Sequence, residues 1–191
     1  GKSTGYIVAC QNTAEISNLK ENSNDEEFAG GIVAILETAT IENSKNTGNV
    51  IGSTNIGGIA GESKGTITQC RNDGQVSKVV GVICKTVNLG GLVGKNGEAA
   101  RLSNSKNYGN VNSETDTLVN LGGICGILYN NSIVELCENN GAISGSGKEI
   151  IPNEDTNTNC ASCTSNNGGS ASTDDFGQLN IGIIYGKYQE I

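Results

Sequence analysis

The stretch Gly57-Gly58-Ile59-Ala60-Gly61-Glu62-Ser63, carried on through Ile67 and Cys70 to Asn72-Asp73-Gly74-Gln75-Val76, decides the fold. The same phrase restarts at Gly30-Gly31, Gly90-Gly91 and Gly122-Gly123. Those copies close at Asn46-Thr47-Gly48, Asn107-Tyr108-Gly109 and Asn139-Asn140-Gly141. A period of about 30 residues marks a repeat array, in which each unit buries its apolar face only against its neighbours. Most residues of such a chain are therefore scaffold.

Aligning the copies sorts the apolar residues into columns. One holds Ile7, Ile32, Ile59, Leu92, Ile124 and Ile184; a second holds Ile16, Ile41, Ile67, Leu102 and Val134. A third, just after each Asn-x-Gly, holds Val50, Val76, Val111 and Ile143. These are strand-forming residues in short runs broken by Gly and Asn, with no competing helical period. Residues 5–24 are laid beneath 30–49, with Tyr6-Ile7-Val8-Ala9 under Gly31-Ile32-Val33-Ala34, and Asn180-Ile181-Gly182 reopens the frame. The expected fold is all-β: a right-handed parallel β-solenoid of about five to six turns, forming one domain over 1–191. Its units lie near 5–29, 30–56, 57–89, 90–121 and 122–143, with a partial unit at 180–191.

Stacking places equivalent residues about 4.8 Å apart. Two asparagine columns then acquire a purpose. Asn46, Asn72, Asn107 and Asn139 form one, and Asn55, Asn88, Asn120 and Asn180 form the other. Their carboxamides are expected to hydrogen-bond up and down the stack as ladders.

Gly58-Ile59-Ala60-Gly61, Gly91-Leu92-Val93-Gly94 and Gly123-Ile124-Cys125-Gly126, each leading into a Cys/Ser-x-Asn-x-Gly segment, resemble the GLUG motif over residues 30–143. That motif occurs in bacterial surface proteins, including immunoglobulin A-cleaving metallopeptidases and filamentous-haemagglutinin-like adhesins. The resemblance implies an extracellular or cell-surface repeat module, a non-catalytic part of a large protein.

Composition narrows the alternatives. A net charge of −8 argues against a nucleic-acid surface, which needs clustered Lys and Arg. No run of 18 apolar residues exists to span a membrane. The first residues show no signal-peptide pattern, and the absence of Met suggests a processed chain, a fragment or an expressed domain.

Between Ile143 and Asn180 the apolar columns stop. Residues 144–179 are polar, contain Pro152, and read as a long inserted loop. Asp155, Asp174 and Asp175 lie there as candidate binding residues, with Glu114 and Asp116 in a shorter insertion. Converging, they could form a calcium site or an acid pair, but solvated loop charge is the simpler reading. Cys160-Ala161-Ser162-Cys163 suits a loop disulfide better than zinc, since the chain has no His and no second pair at suitable spacing. Cys70 and Cys137 share a column with Ser44 and Ser105, and Cys125 an apolar column, as small buried residues. Gly1-Lys2-Ser3-Thr4 lacks the upstream half of a P-loop, and Ser17-x-x-Lys20 and Ser103-x-x-Lys106 lack the partner motifs of a penicillin-binding nucleophile.

The sequence thus points to a structural or adhesive module without catalytic residues, metal or cofactor. Its expected partners are other repeats of a larger surface protein, identical subunits end to end, or a host or matrix protein or glycan. A fibre subunit stacking through open ends is the alternative, and a carbohydrate-active β-helix a distant one.

Overall fold

The computed structural model describes residues 1–18, 25–79, 84, 86–113, 118–129, 131–152, 160–161, 163–166, 169–182 and 185–189. The side chains of 118, 146–152, 160–161, 169–182 and 185–189 lie outside that description. The chain is a parallel β-solenoid, and every strand pairing among the described residues is parallel.

Each coil contributes one short strand to each of five walls. Wall A stacks Lys2–Ser3, Val33–Leu36, Ala60–Ser63, Val93–Asn96, Cys125–Tyr129 and Tyr185–Gln189. Wall B stacks Ile7–Val8, Thr40–Glu42, Thr66–Thr68, Arg101–Ser103, Ile133–Glu135 and Cys160–Ala161. Wall C stacks Gln11–Asn12, Lys45–Asn46, Arg71–Asn72, Lys106–Asn107, Glu138–Asn139 and Thr164–Ser165. Walls D and E are two arms of one sheet. Arm D runs through Ile16–Ser17, Val50–Gly52, Val76–Lys78, Val111–Ser113 and Ile143–Pro152; arm E runs through Phe28–Gly30, Asn55–Gly57, Thr86–Gly90 and Leu118–Gly122. Gly169–Gly182 joins the arms.

The apolar columns fill two cores. Walls A, B and C enclose Ile41, Ile67, Leu102 and Val134 together with Ile59, Leu92 and Ile124. The arms D and E enclose Val50, Val76, Val111 and Ile143 against Ile56, Leu89 and Leu121. Each such fully buried side chain contributes about 1.5–3 kcal/mol. Wall A packs against arm E backbone to backbone, and only glycine fits there. A Cβ on Gly94 would sit 2.8 Å from the Gly61 carbonyl oxygen and 2.9 Å from the Asn55 carbonyl carbon. That contact is the reason for the last glycine of Gly-apolar-x-Gly.

Two expectations are corrected. The first coil sits in a different register: Ile7 pairs with Ile41, Asn12 with Asn46 and Ile16 with Val50. Ile7 therefore belongs to the second apolar column and Ile16 to the third. The slip has a cause, because this coil carries Ala14 where the others carry the glycine of Asn-x-Gly, and it lacks the Gly-Gly start. Second, residues 144–179 are not a loop throughout. They contain most of Ile143–Pro152, and Cys160–Ala161, Thr164–Ser165 and most of Gly169–Gly182, the last three supplying a further coil on walls B, C, D and E. Polar residues suffice there because ladder hydrogen bonds, rather than apolar burial, register the strands.

Candidate functional site

The asparagine column on wall C forms a continuous hydrogen-bonded ladder. Asn12 Nδ2 donates to Asn46 Oδ1 at 2.8 Å, Asn46 to Asn72 at 2.8 Å, Asn72 to Asn107 at 2.9 Å and Asn107 to Asn139 at 2.8 Å. Asn139 then donates to Ser165 Oγ at 3.3 Å. The second amide hydrogen of each goes to the carbonyl two residues on, as from Asn72 to Gly74 at 2.8 Å. Asn72 Oδ1 in turn accepts the Gly74 N–H at 3.2 Å. Asn72 thus uses both donors and both lone pairs, which no other side chain of its size can do. Burial without penalty follows, since a fully satisfied polar group costs little to enclose. Asn12 is the member that the sequence reading missed: laying residues 5–24 beneath 30–49 sets Glu21 opposite Asn46, whereas the observed Asn12–Asn46 spacing is 34.

The second column runs the other way. Asn88 donates to Asn55 at 2.7 Å and Asn120 to Asn88 at 2.6 Å, so each amide points toward the N-terminal coil. Asn180 takes the next register position, opposite Asn120.

Beside the first ladder stands a column of Cys10, Ser44, Cys70, Ser105, Cys137 and Cys163. Ser44 and Ser105 donate to the carbonyls of Glu42 and Ser103 at 3.0 and 2.8 Å, and Cys70 and Cys137 make the equivalent contact at 3.2 and 3.3 Å. The Ser oxygens also accept the backbone N–H of Cys10 and Cys70 from the preceding coil, at 3.2 and 3.0 Å. Burial pushes the Cys70 and Cys137 thiols up to about 11, and raises Cys125 as well. Such thiols are poor nucleophiles. Cys163 is disulfide-bonded. The side chain of Cys160, its expected partner, lies outside the described residues.

The residue before each of the first five members of this column turns the corner in the left-handed region: Ala9, Asn43, Gln69, Asn104 and Leu136 have φ of 53, 50, 53, 49 and 52°. A corner that glycine would take freely is made by ordinary side chains, at a cost of about 1–2 kcal/mol where the residue is not Asn.

The outward faces of walls B and C carry charge that changes from coil to coil. On wall C, Lys45, Arg71 and Lys106 stack in register, followed by Glu138. Asp73 takes both Lys45 and Arg71, at 2.9 and 2.6 Å, and Glu138 takes Lys106 at 2.7 Å. Partial burial of Asp73 works against its ionisation, but the hydrogen bonds from Arg71 and Lys45 outweigh it and hold the carboxyl below its usual range. Glu138 is lowered by its hydrogen bond with Lys106 and then by that with Asn140. The Arg71 guanidinium also lies 4.2 Å from the centroid of the exposed Tyr108 ring. Arg101 pairs with Glu135 on wall B.

Of the acidic candidates, only the backbone of Asp174 and Asp175 is described. Asp155 lies outside the described residues. Asp174 and Asp175 fall within the strand Gly169–Gly182, between Thr173 and Gln178, where the pairing with 143–152 skips ahead. Among the described residues no group of three or more His, Cys, Asp or Glu is placed to hold a metal, and no helix is long and apolar enough to cross a membrane. No family model matches the chain, and no curated protein or solved structure is similar to it.

Proposed function

We propose that the chain is a non-catalytic structural and display module of an extracellular or cell-surface protein. One observation carries this reading: the inward columns repeat and the outward ones do not. Asn46, Asn72, Asn107 and Asn139 are identical and fully buried, while the outward residues beside them are Lys45, Arg71, Lys106 and Glu138. On wall B, Ile41, Ile67, Leu102 and Val134 face in, while Thr40, Thr66, Arg101 and Ile133 face out. A repeated interior with an individual exterior is what a stiff rod presenting side chains requires.

The test is binding of the purified chain to immobilised matrix proteins and to neutral and acidic glycans. Saturable binding to one of them, lost in a Lys45→Ser, Arg71→Ser, Tyr108→Ser variant with an unchanged far-ultraviolet spectrum, supports display. Release of cleaved sugar from any glycan, or no binding across the panel, overturns it.

A second reading is the stacking of further coils, from the same polypeptide or an identical subunit, on the first coil. It is favoured by the strands Lys2–Ser3, Ile7–Val8, Gln11–Asn12 and Ile16–Ser17, each of which is the end strand of its sheet and so offers a backbone edge to a further coil. Sedimentation across a hundredfold concentration range separates identical subunits from the monomer.

A further inference from the structure

In the earlier coils the chain passes from arm D straight to arm E, as from Val50–Gly52 to Asn55–Gly57 and from Val111–Ser113 to Leu118–Gly122. The last coil breaks this order. Residues 143–145 stack on Val111–Ser113 in arm D, and 169–173 lie outside 143–147. Consecutive winding would then place 149–152 beside Leu118–Gly122. The slot is instead filled by Leu179–Gly182, with Val119 opposite Leu179 and Asn120 opposite Asn180. Residues 149–152 pair on the far side of that segment, from Glu149 opposite Gln178 to Pro152 opposite Ile181. The two segments cross between the arms.

Two residues explain the exchange. Asn180 meets the asparagine register position of arm E; winding in order would put Ile151 there, since Ile151 stands level with Asn180. Pro152 has no N–H, so in the inner slot it would leave one ladder bond unmade, whereas on the outermost strand it disrupts less. Residues 185–189 follow into the adjacent slot on wall A, with Cys125 opposite Tyr185 and Leu128 opposite Tyr188.

We propose that the slot beside Leu118–Gly122 and Cys125–Tyr129 is a strand-acceptor site whose ligand in trans is residues 178–189 of a second copy of this chain. The segment takes the inner slot out of winding order, after residues 149–152 and after the wall B and wall C strands Cys160–Ala161 and Thr164–Ser165, and no pairing among the earlier coils depends on it. A copy supplied by a neighbour remakes the same main-chain bonds in the same register, so exchange costs little beyond bringing two chains together. Main-chain bonding would supply the affinity and the Asn-apolar-Gly register the specificity. The proposal rests on the strand order and not on the display reading.

The test uses the full chain carrying Ile181→Pro, which cannot seat its own segment in an inner slot, and a fluorescent peptide of residues 178–189. A saturable rise in anisotropy, weakened about tenfold when the peptide carries Asn180→Asp, is expected. A folded Ile181→Pro chain that fails to bind the peptide overturns the proposal, as does equal binding of the Asn180→Asp peptide. Should that variant not fold, isotopically light and heavy wild-type chains are incubated together at high concentration and weighed by native mass spectrometry. Mixed dimers support exchange, and exclusively unmixed species overturn it.

Discussion

Gly58 lies against the carboxamide of Asn72: a Cβ on that glycine would overlap Asn72 Cγ and the carbonyl oxygen of Gly91 in the next coil. Gly31 bears the same relation to Asn46, and Gly91 to Asn107. The two ends of the repeat phrase, Gly-Gly and Asn-x-Gly, are thus the two sides of one contact. Gly58→Ala would force apart both a ladder rung and a strand backbone, costing about 3 kcal/mol or more. Urea titration followed by circular dichroism measures it; a loss within 0.5 kcal/mol, the range of an ordinary surface substitution, contradicts the contact.

Removing a ladder rung orphans its neighbours. Asn72→Ala strands Asn46 Nδ2, Asn107 Oδ1 and the Gly74 peptide groups, and is expected to cost about 4 kcal/mol. Asn72→Asp costs more, because a carboxylate would face the Gly74 carbonyl and Asn107 Oδ1 without a proton to offer. The partly exposed Asn12→Ala costs about 1 kcal/mol. The ranking of the three denaturation midpoints is the readout.

Acid should weaken the outer face of wall C in a defined direction. The folded-state pKa of Asp73 is lowered, so its stabilisation is present above the ordinary aspartate range of about 3.9 and is lost as pH falls through the folded value. Glu138 and Glu37, the latter held low by Lys2, act in the same sense. The melting temperature of wild type should drop on acidification below about pH 5, and that of Asp73→Asn should drop less steeply. Parallel profiles would show that Arg71 and Lys45 do not stabilise the carboxylate.

Thiol reactivity should divide by column depth. Cys10 is exposed, whereas Cys70, Cys125 and Cys137 are buried with raised pKa values. Maleimide at neutral pH should modify Cys10 within minutes and leave those three intact until denaturant is added. Peptide mapping by mass spectrometry assigns the sites.

Leu136 is both a left-handed corner and 56% exposed. Asn43 and Asn104 hold the same corner in other coils. Leu136→Asn should therefore stabilise the chain by about 1 kcal/mol, read as a higher urea midpoint. A lower midpoint would mean that the leucine is packed rather than strained.

The middle coils were legible because their residues have one job each. Ile67 must be apolar, Asn72 must offer two donors and two acceptors, and Gly58 must have no side chain, so the phrase survives in the sequence. The first coil was misread by nine positions, since it pairs at 34 residues where the alignment used 25. It keeps Asn12 and Cys10 but not the glycines that anchor the eye. The coil after Ile143 was hidden for another reason. Strand pairing there is a backbone property, and Ser, Thr and Gly along 169–173 satisfy it without leaving an apolar trace. Crossing of two strands has no local signature at all; only the mismatch of Pro152 and Asn180 with their places in the winding order hints at it.

The opposed ladders give the rod an arrow. In the wall C column the carboxamides from Asn12 to Asn139 offer their hydrogens toward the C-terminal coil, and in the arm E column those of Asn88 and Asn120 offer them toward the N-terminal coil. The interior coils that carry both asparagines therefore present a donor at wall C and an acceptor at arm E toward one end, and the complement toward the other. An interior coil turned end for end, with each column kept in place, would meet oxygen against oxygen in one column and hydrogen against hydrogen in the other. The sense of winding is thus written in the amides of these coils as well as in their parallel strands.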